Sequence, residues 1–227
     1  MNKLFYRENG SGSPIILLHG NGEDGSRFEN QIEHFGRYMH VYAVDTPGHG
    51  QSDVGEGKFS LYRFADDLRD FMVGKGIGKA VILGFSDGGN IALIFALKYP
   101  EMVDKLILNG ANLRPSGVKL SVQFPIYIGY GITSLISIFD KKAGKNRDIL
   151  GLMAKEPRIS PEELGRIKSP TLVIAGTNDM IKEKHTRLIA GSIEDASLVF
   201  VEGNHFIAYE KPEKFNAAVD AFLGAGK

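Results

Sequence analysis

Three residue types that together can transfer an acyl group each stand just past a run of strand character. Ser86 lies in Gly84-Phe85-Ser86-Asp87-Gly88-Gly89, directly after Val81-Ile82-Leu83. Asp179 ends Gly176-Thr177-Asn178-Asp179 after the run 171–175, and His205 ends Glu202-Gly203-Asn204-His205 after 198–201. A serine hydroxyl is a weak nucleophile near neutral pH unless a base takes its proton as it attacks. Histidine, with an ordinary pKa of about 6.5, suits that task, and a carboxylate behind it fixes the tautomer and steadies the imidazolium. A strand that turns at once into a helix around Gly84-x-Ser86-x-Gly88 strains the serine and pushes its hydroxyl outward. The alternative is a serine that only caps the following helix, and the crowding of glycines argues against it. Asp195 and Glu202 compete with Asp179 as the acid; position favours Asp179.

Positioning these groups needs a regular frame, and the patterning supplies one. Strand-like runs at 3–8, 15–18, 41–45, 81–83, 103–109, 171–175 and 198–201 alternate with helical patterns at 26–38, 60–74, 182–193 and 212–223, and after the elbow up to Tyr99. Such alternation predicts an α/β fold with a mostly parallel sheet of seven to eight strands, flanked by helices. In such a sheet functional groups collect at the carboxyl ends of the strands. The alternation lapses over 113–168, which reads as a small helical lid insertion between core segments 1–112 and 169–227. Within it Ser160-Pro161-Glu162-Glu163 is a capping-box helix start. Residues 120–139 carry no formal charge and reach the length of a membrane span. Ser121, Gln123, Pro125, Ser134 and Ser137 interrupt them, so buried or cleft-covering helices are expected and stable membrane insertion is not.

The order Ser…Asp…His, each at a strand end, resembles the α/β-hydrolase fold family. The resemblance extends along nearly the whole chain. It rests on His19-Gly20, Pro47-Gly48-His49-Gly50-x-Ser52-Asp53, the elbow, Gly176-x-x-Asp179 and Gly203-x-His205, all in family order. It implies Ser86 as nucleophile, His205 as general base and Asp179 as its orienting acid. It also implies an oxyanion hole from the backbone N–H groups of Asn21 and Asp87. Phe85, Phe124, Tyr127 and Phe206 are the expected walls of the substrate pocket. A serine at the apex sets the chain apart from dehalogenase and epoxide hydrolase branches, which carry aspartate there. The reaction so implied is carboxylesterase-like hydrolysis of a small ester through an acyl-enzyme. Same-fold lyases, transferases or C–C hydrolases of the menaquinone-pathway type, and receptor-like members with little turnover, are the alternatives. The basic run Lys141-Lys142, Lys145 and Arg147 favours an anionic substrate among them. Gly84-Phe85-Ser86-Asp87-Gly88-Gly89 also resembles the elbow of the valacyclovir hydrolase type, and an aspartate beside the nucleophile could pair with a substrate ammonium.

Composition narrows the field further. The 227 residues contain 43% hydrophobic and 24% charged residues, ordinary for a globular chain. Lys plus Arg and Asp plus Glu number 27 each, which gives no reason to expect nucleic acid as a partner. There is no cysteine, so disulfides and thiolate chemistry are excluded. The first eight residues have no apolar core of signal-peptide length, and a cytoplasmic enzyme, monomeric or homodimeric, is the expectation. Gly20-x-Gly22-x-x-Gly25 with Asp45 matches a dinucleotide fingerprint, but Glu23 and Asp24 would repel a pyrophosphate, so no cofactor is expected. His19, Asp45, His49 and Asp53 lack metal-ligand spacing and are read as loop braces.

Overall fold

Aliphatic runs with little polar interruption pair best as parallel strands covered on both faces. The computed structural model describes residues 3–225, without the side chains of Lys141 and Lys142. It forms one sheet from β1 (Tyr6–Asn9), β2 (Pro14–Leu18), β3 (His40–Val44), β4 (Ala80–Phe85), β5 (Val103–Asn109), β6 (Thr171–Gly176) and β7 (Ala196–Val201). The order is β1-β3-β2-β4-β5-β6-β7, with β1 antiparallel to β3 and the other neighbours parallel. Each of the seven strand-like runs overlaps one strand, so seven is the number among the described residues.

Alternate residues of each strand feed opposite cores. Ile16, Leu18, Ile82, Leu106 and Leu108 pack under α2 (Leu61–Gly74) and α3 (Asp87–Lys98). Ile15, Leu17, Val41, Leu83 and Ile107 pack with Phe28, Phe35 and Phe215, carried by the turn before α1 (Glu29–Phe35), by α1 itself and by α9 (Pro212–Leu223). The helix expected over 26–38 is shorter than the pattern suggests. It starts as a 3-10 turn, Gly25–Phe28, whose first N–H groups are met by Asp24, which accepts from Ser26 N at 2.8 Å.

Between β5 and β6 lie α4 (Leu120–Ile136), α5 (Lys141–Lys155) and α6 (Pro161–Leu164), the last with the expected capping box at Ser160. Beyond β6 come α7 (Glu183–Ser192) and, after β7, the unanticipated one-turn α8 (Ile207–Glu210). Helix α4 departs from the expectation of burial. One side packs on α5, where Gln123 Nε2 donates to the Met153 carbonyl at 3.1 Å, and the apolar stripe faces outward. No helix among the described residues is long and apolar enough to cross a membrane. Polar ties fix this helical segment to the core. The Glu156 carboxylate accepts from Ser60 Oγ at 2.9 Å and Leu61 N at 2.8 Å, and His185 Nε2 accepts from Leu113 N at 3.0 Å.

Candidate active site

The chain passes from β2 outward to β3 and then returns to the other side of β2 as β4, so β2 and β4 form the switch point of the sheet. Leu18 pairs with Gly84 there, which places the His19-Gly20-Asn21 loop beside the elbow. Ser86 adopts φ 54° and ψ −118°, the one non-glycine residue with positive φ among the described residues. It occupies the N-cap position of α3, yet its side chain makes no cap hydrogen bond. The hydroxyl is therefore not spent on the helix. The tight turn depends on Gly88: a Cβ there would stand 2.0 Å from the Leu18 carbonyl oxygen.

His205 and Asp179 meet across the ends of β6 and β7. His205 Nδ1 lies 2.7 Å from Asp179 Oδ1, which also accepts from Ile181 N at 2.8 Å. Both side chains are buried. Binding through Nδ1 fixes the ring and leaves Nε2 buried with no hydrogen-bond partner in the protein. The ring sits over the Asn109-Gly110 corner, where a Cβ on Gly110 would come within 2.6 Å of His205 Cε1. Ser86 N donates to the Asn109 carbonyl at 2.8 Å, so serine and histidine flank the same corner. Phe85 is buried beneath, its ring 4.8 Å from that of His205 and 5.9 Å from that of Phe206. The competing acid Glu202 pairs with Lys214 at the surface instead.

A polar cluster that sequence reasoning missed surrounds Asp87. Its Oδ2 accepts from Asn21 Nδ2 at 2.7 Å and its Oδ1 from Asn90 Nδ2 at 3.1 Å. Asn90 in turn bonds Asn112 twice, through Oδ1 to the backbone N–H at 2.8 Å and through Nδ2 to the side-chain oxygen at 3.1 Å. Asn21 Nδ2 also reaches the Ile149 carbonyl of α5 at 3.1 Å. Burial pushes the Asp87 carboxyl up to about 6, against the two amide hydrogen bonds. Each Asp87 oxygen accepts from a side-chain amide, and 7% of the residue's surface is open. The signal for Asn90 was present in the sequence, because it is the only polar residue between Gly88 and Ala96.

Other expected residues fall elsewhere. Phe124 and Tyr127 are 58% and 43% exposed on the outer stripe of α4, and neither lines the two cavities under that helical segment. Their apolar character suggests an inward face, but the inner side of α4 is taken by α5. Asp45 is buried and accepts from Gly25 N at 2.7 Å, Gln51 N at 2.9 Å and Arg7 Nη1 at 3.1 Å, so its carboxylate ties together three segments of chain. His19 Nε2 accepts from Thr46 N at 3.0 Å, and His49 Nδ1 lies 3.1 Å from Thr46 Oγ1. Among the described residues no group of side chains is arranged to hold a metal ion.

A cavity of about 970 Å³ lies apart from the serine, which is not among its lining residues. It opens between α5 and the stretch 54–62, where Lys58, Tyr62, Tyr130, Arg147, Lys155 and Arg158 are among its walls. Asp148 and Glu156 share that wall, yet Asp148 is engaged by Arg147 at 2.7 Å and Glu156 caps α2. The cavity thus presents a net excess of cations.

Comparison with known proteins agrees with this fold. A family model described as the alpha/beta hydrolase fold matches residues 13–127. The chain is 25% identical to (E)-2-((N-methylformamido)methylene)succinate hydrolase of Acinetobacter baylyi, over 96% of this chain and 93% of that one. It is 28% identical to 2-hydroxy-6-oxo-6-phenylhexa-2,4-dienoate hydrolase of Comamonas testosteroni, over 97% and 91%. The solved structure of a hydrolase from Pseudomonas aeruginosa superposes with a TM-score of 0.80 at 26% identity, covering 98% of this chain and 94% of that one. The chain belongs to the α/β-hydrolase fold family.

Proposed function

We propose that this protein is a serine hydrolase that cleaves a small ester through an acyl-enzyme. The observation that carries the reading is the His205 ring, held by Asp179 through Nδ1 and bare at Nε2, against the corner that Ser86 also touches. Ser86 Oγ attacks the substrate carbonyl as His205 Nε2 takes its proton, and the alcohol leaves with that proton returned to its oxygen. Water, deprotonated by the same nitrogen, then attacks the acyl-enzyme and frees the acid and Ser86. The backbone N–H groups of Asn21 and Asp87, the latter at the first residue of α3, stabilise the oxyanion, and each such donor is worth roughly 10²–10³ in turnover. Residues 113–168 form the lid of this site, with 1–112 and 169–227 as the core.

A second reading has its own support. The cationic cavity under α5 suits a substrate bearing a carboxylate, and two of the relatives are named for hydrolysis of a succinate and a dienoate. The same serine and histidine would then act on a ketone carbonyl beside a C–C bond or on a lactone. Both readings are tested by p-nitrophenyl acetate and butyrate in parallel with acidic vinylogous diketones, together with a fluorophosphonate probe. The probe is expected to label Ser86, and Ser86→Ala is expected to lose both labelling and turnover. Full activity in folded Ser86→Ala would refute either mechanism. Turnover confined to the acidic ketones would replace the ester reading with the second.

A further inference from the structure

Among the described residues, nine of the thirteen exposed large apolar side chains lie in the single stretch 120–139. Leu120, Phe124, Ile128, Ile132, Leu135 and Phe139 recur every three or four residues, so they form one stripe along α4 and the turn after it. Phe139 is 91% exposed. The opposite side of α4 is already seated on α5 through Gln123 and Tyr130, so the stripe has no partner within the described residues. A contiguous apolar patch of this kind on an otherwise ordinary surface marks an interaction site.

The surrounding charge identifies the partner. Residues 120–139 contain no acid; Lys119 stands at one end of the stripe, and at the other a single acid, Asp140, is followed by Lys141, Lys142 and the exposed Lys145, a net positive balance at both ends. We propose that this stripe docks on an anionic phospholipid surface, with α4 lying in the plane of the headgroups. Seventeen residues rise only about 26 Å, short of the roughly 30 Å needed to span. An in-plane pose lets the stripe enter the acyl boundary while the lysines at both ends meet lipid phosphates. A second copy of this chain fits less well. Antiparallel pairing of two stripes sets Lys119 against the partner's lysine cluster, and parallel pairing sets like against like.

This proposal does not depend on the reaction assigned to Ser86, and its test does not use activity. Full-length protein is floated with phosphatidylcholine vesicles, with and without phosphatidylglycerol, at low and raised salt. The wild type is expected to float with the anionic vesicles and to release as salt screens the lysines. Ile132→Glu with Phe139→Glu is expected to remain in solution, and Lys145→Glu to weaken binding about fivefold. Circular dichroism and melting temperature confirm that both variants fold, as exposed positions allow. Absence of flotation by the wild type overturns the proposal. So does equal flotation by the double variant, which leaves non-specific charge alone. A salt-stable dimer by light scattering, dissolved by the double variant and with no vesicle binding, assigns the stripe to a second copy instead.

Discussion

The side-chain amide of Asn21 donates to the carboxyl of Asp87 at 2.7 Å, tying together two residues that are 66 apart in the chain and adjacent in the site. These are the residues to which the proposed function assigns the two oxyanion donors, so a side-chain bond sets the spacing of two backbone N–H groups. The second N–H of the same amide holds the Ile149 carbonyl of α5, which makes Asn21 a junction of elbow, loop and helical segment. Asn21→Ala removes both bonds and leaves a buried carboxyl oxygen without its donor. We expect kcat on p-nitrophenyl butyrate to fall roughly 10- to 100-fold with KM changed little, as for loss of preorganisation at an oxyanion hole. An unchanged kcat would show that the donors are positioned by the backbone alone.

Asp87 gives the fold a pH dependence of known sign. Burial holds its carboxyl at about 6 in the native chain, whereas an unfolded aspartate titrates near 3.9. Between these values the native state keeps a proton that the unfolded state has released. Stability contributed at this residue therefore falls as pH rises through that window, by on the order of 2–3 kcal/mol, and stays lower above it. His19 and His185, lowered to about 4 by burial, act in the opposite sense, since the unfolded histidines bind protons first as pH drops. The informative quantity is thus the difference in melting temperature between wild type and Asp87→Asn from about pH 4 to 7.5. The variant should gain relative to the wild type as pH rises. Parallel profiles would mean that Asp87 does not titrate in that window.

The frame and the strand-end positions of Ser86, Asp179 and His205 were legible because their signals are local. Each strand-like run is continuous and apolar, and Ser86, Asp179 and His205 follow their strands within a few residues, so strand order alone brings them to one edge. What was not legible depends on which way a side turns. The stripe of α4 is apolar enough to be core, and only the docking of α5 by Gln123 and Tyr130 decides that Phe124 and Tyr127 face outward. Nor could spacing show that Asp87 turns inward to Asn21 and Asn90, since an aspartate at a helix start is already favoured by the dipole.

Strain at the apex should be measurable apart from catalysis. Ser86 holds φ 54° and ψ −118°, a region that side chains bearing a Cβ rarely enter. Alanine keeps that cost and glycine does not. Both Ser86→Ala and Ser86→Gly are expected to be inactive, with the glycine variant more stable by about 1 kcal/mol after allowing for its freer unfolded chain. Denaturant unfolding of the two inactive variants gives the difference directly. A glycine variant less stable than alanine would place the strain elsewhere.

Gly110 tests the placement of the base without replacing a proposed catalytic side chain. It has φ 63°, and a Cβ built on it would stand 2.6 Å from His205 Cε1 and 2.9 Å from Nδ1. Gly110→Ala must therefore either displace the imidazole or shift the corner that Ser86 N bonds through Asn109. Positive φ alone costs about 1 kcal/mol, so the fold should survive. A ring moved by even about 1 Å should lower kcat roughly 10²-fold, because proton transfer requires near hydrogen-bond geometry. The change should appear in kcat rather than KM, and fluorophosphonate labelling of Ser86 should slow in proportion. Wild-type labelling in Gly110→Ala would show that His205 does not act on the Ser86 hydroxyl from this position.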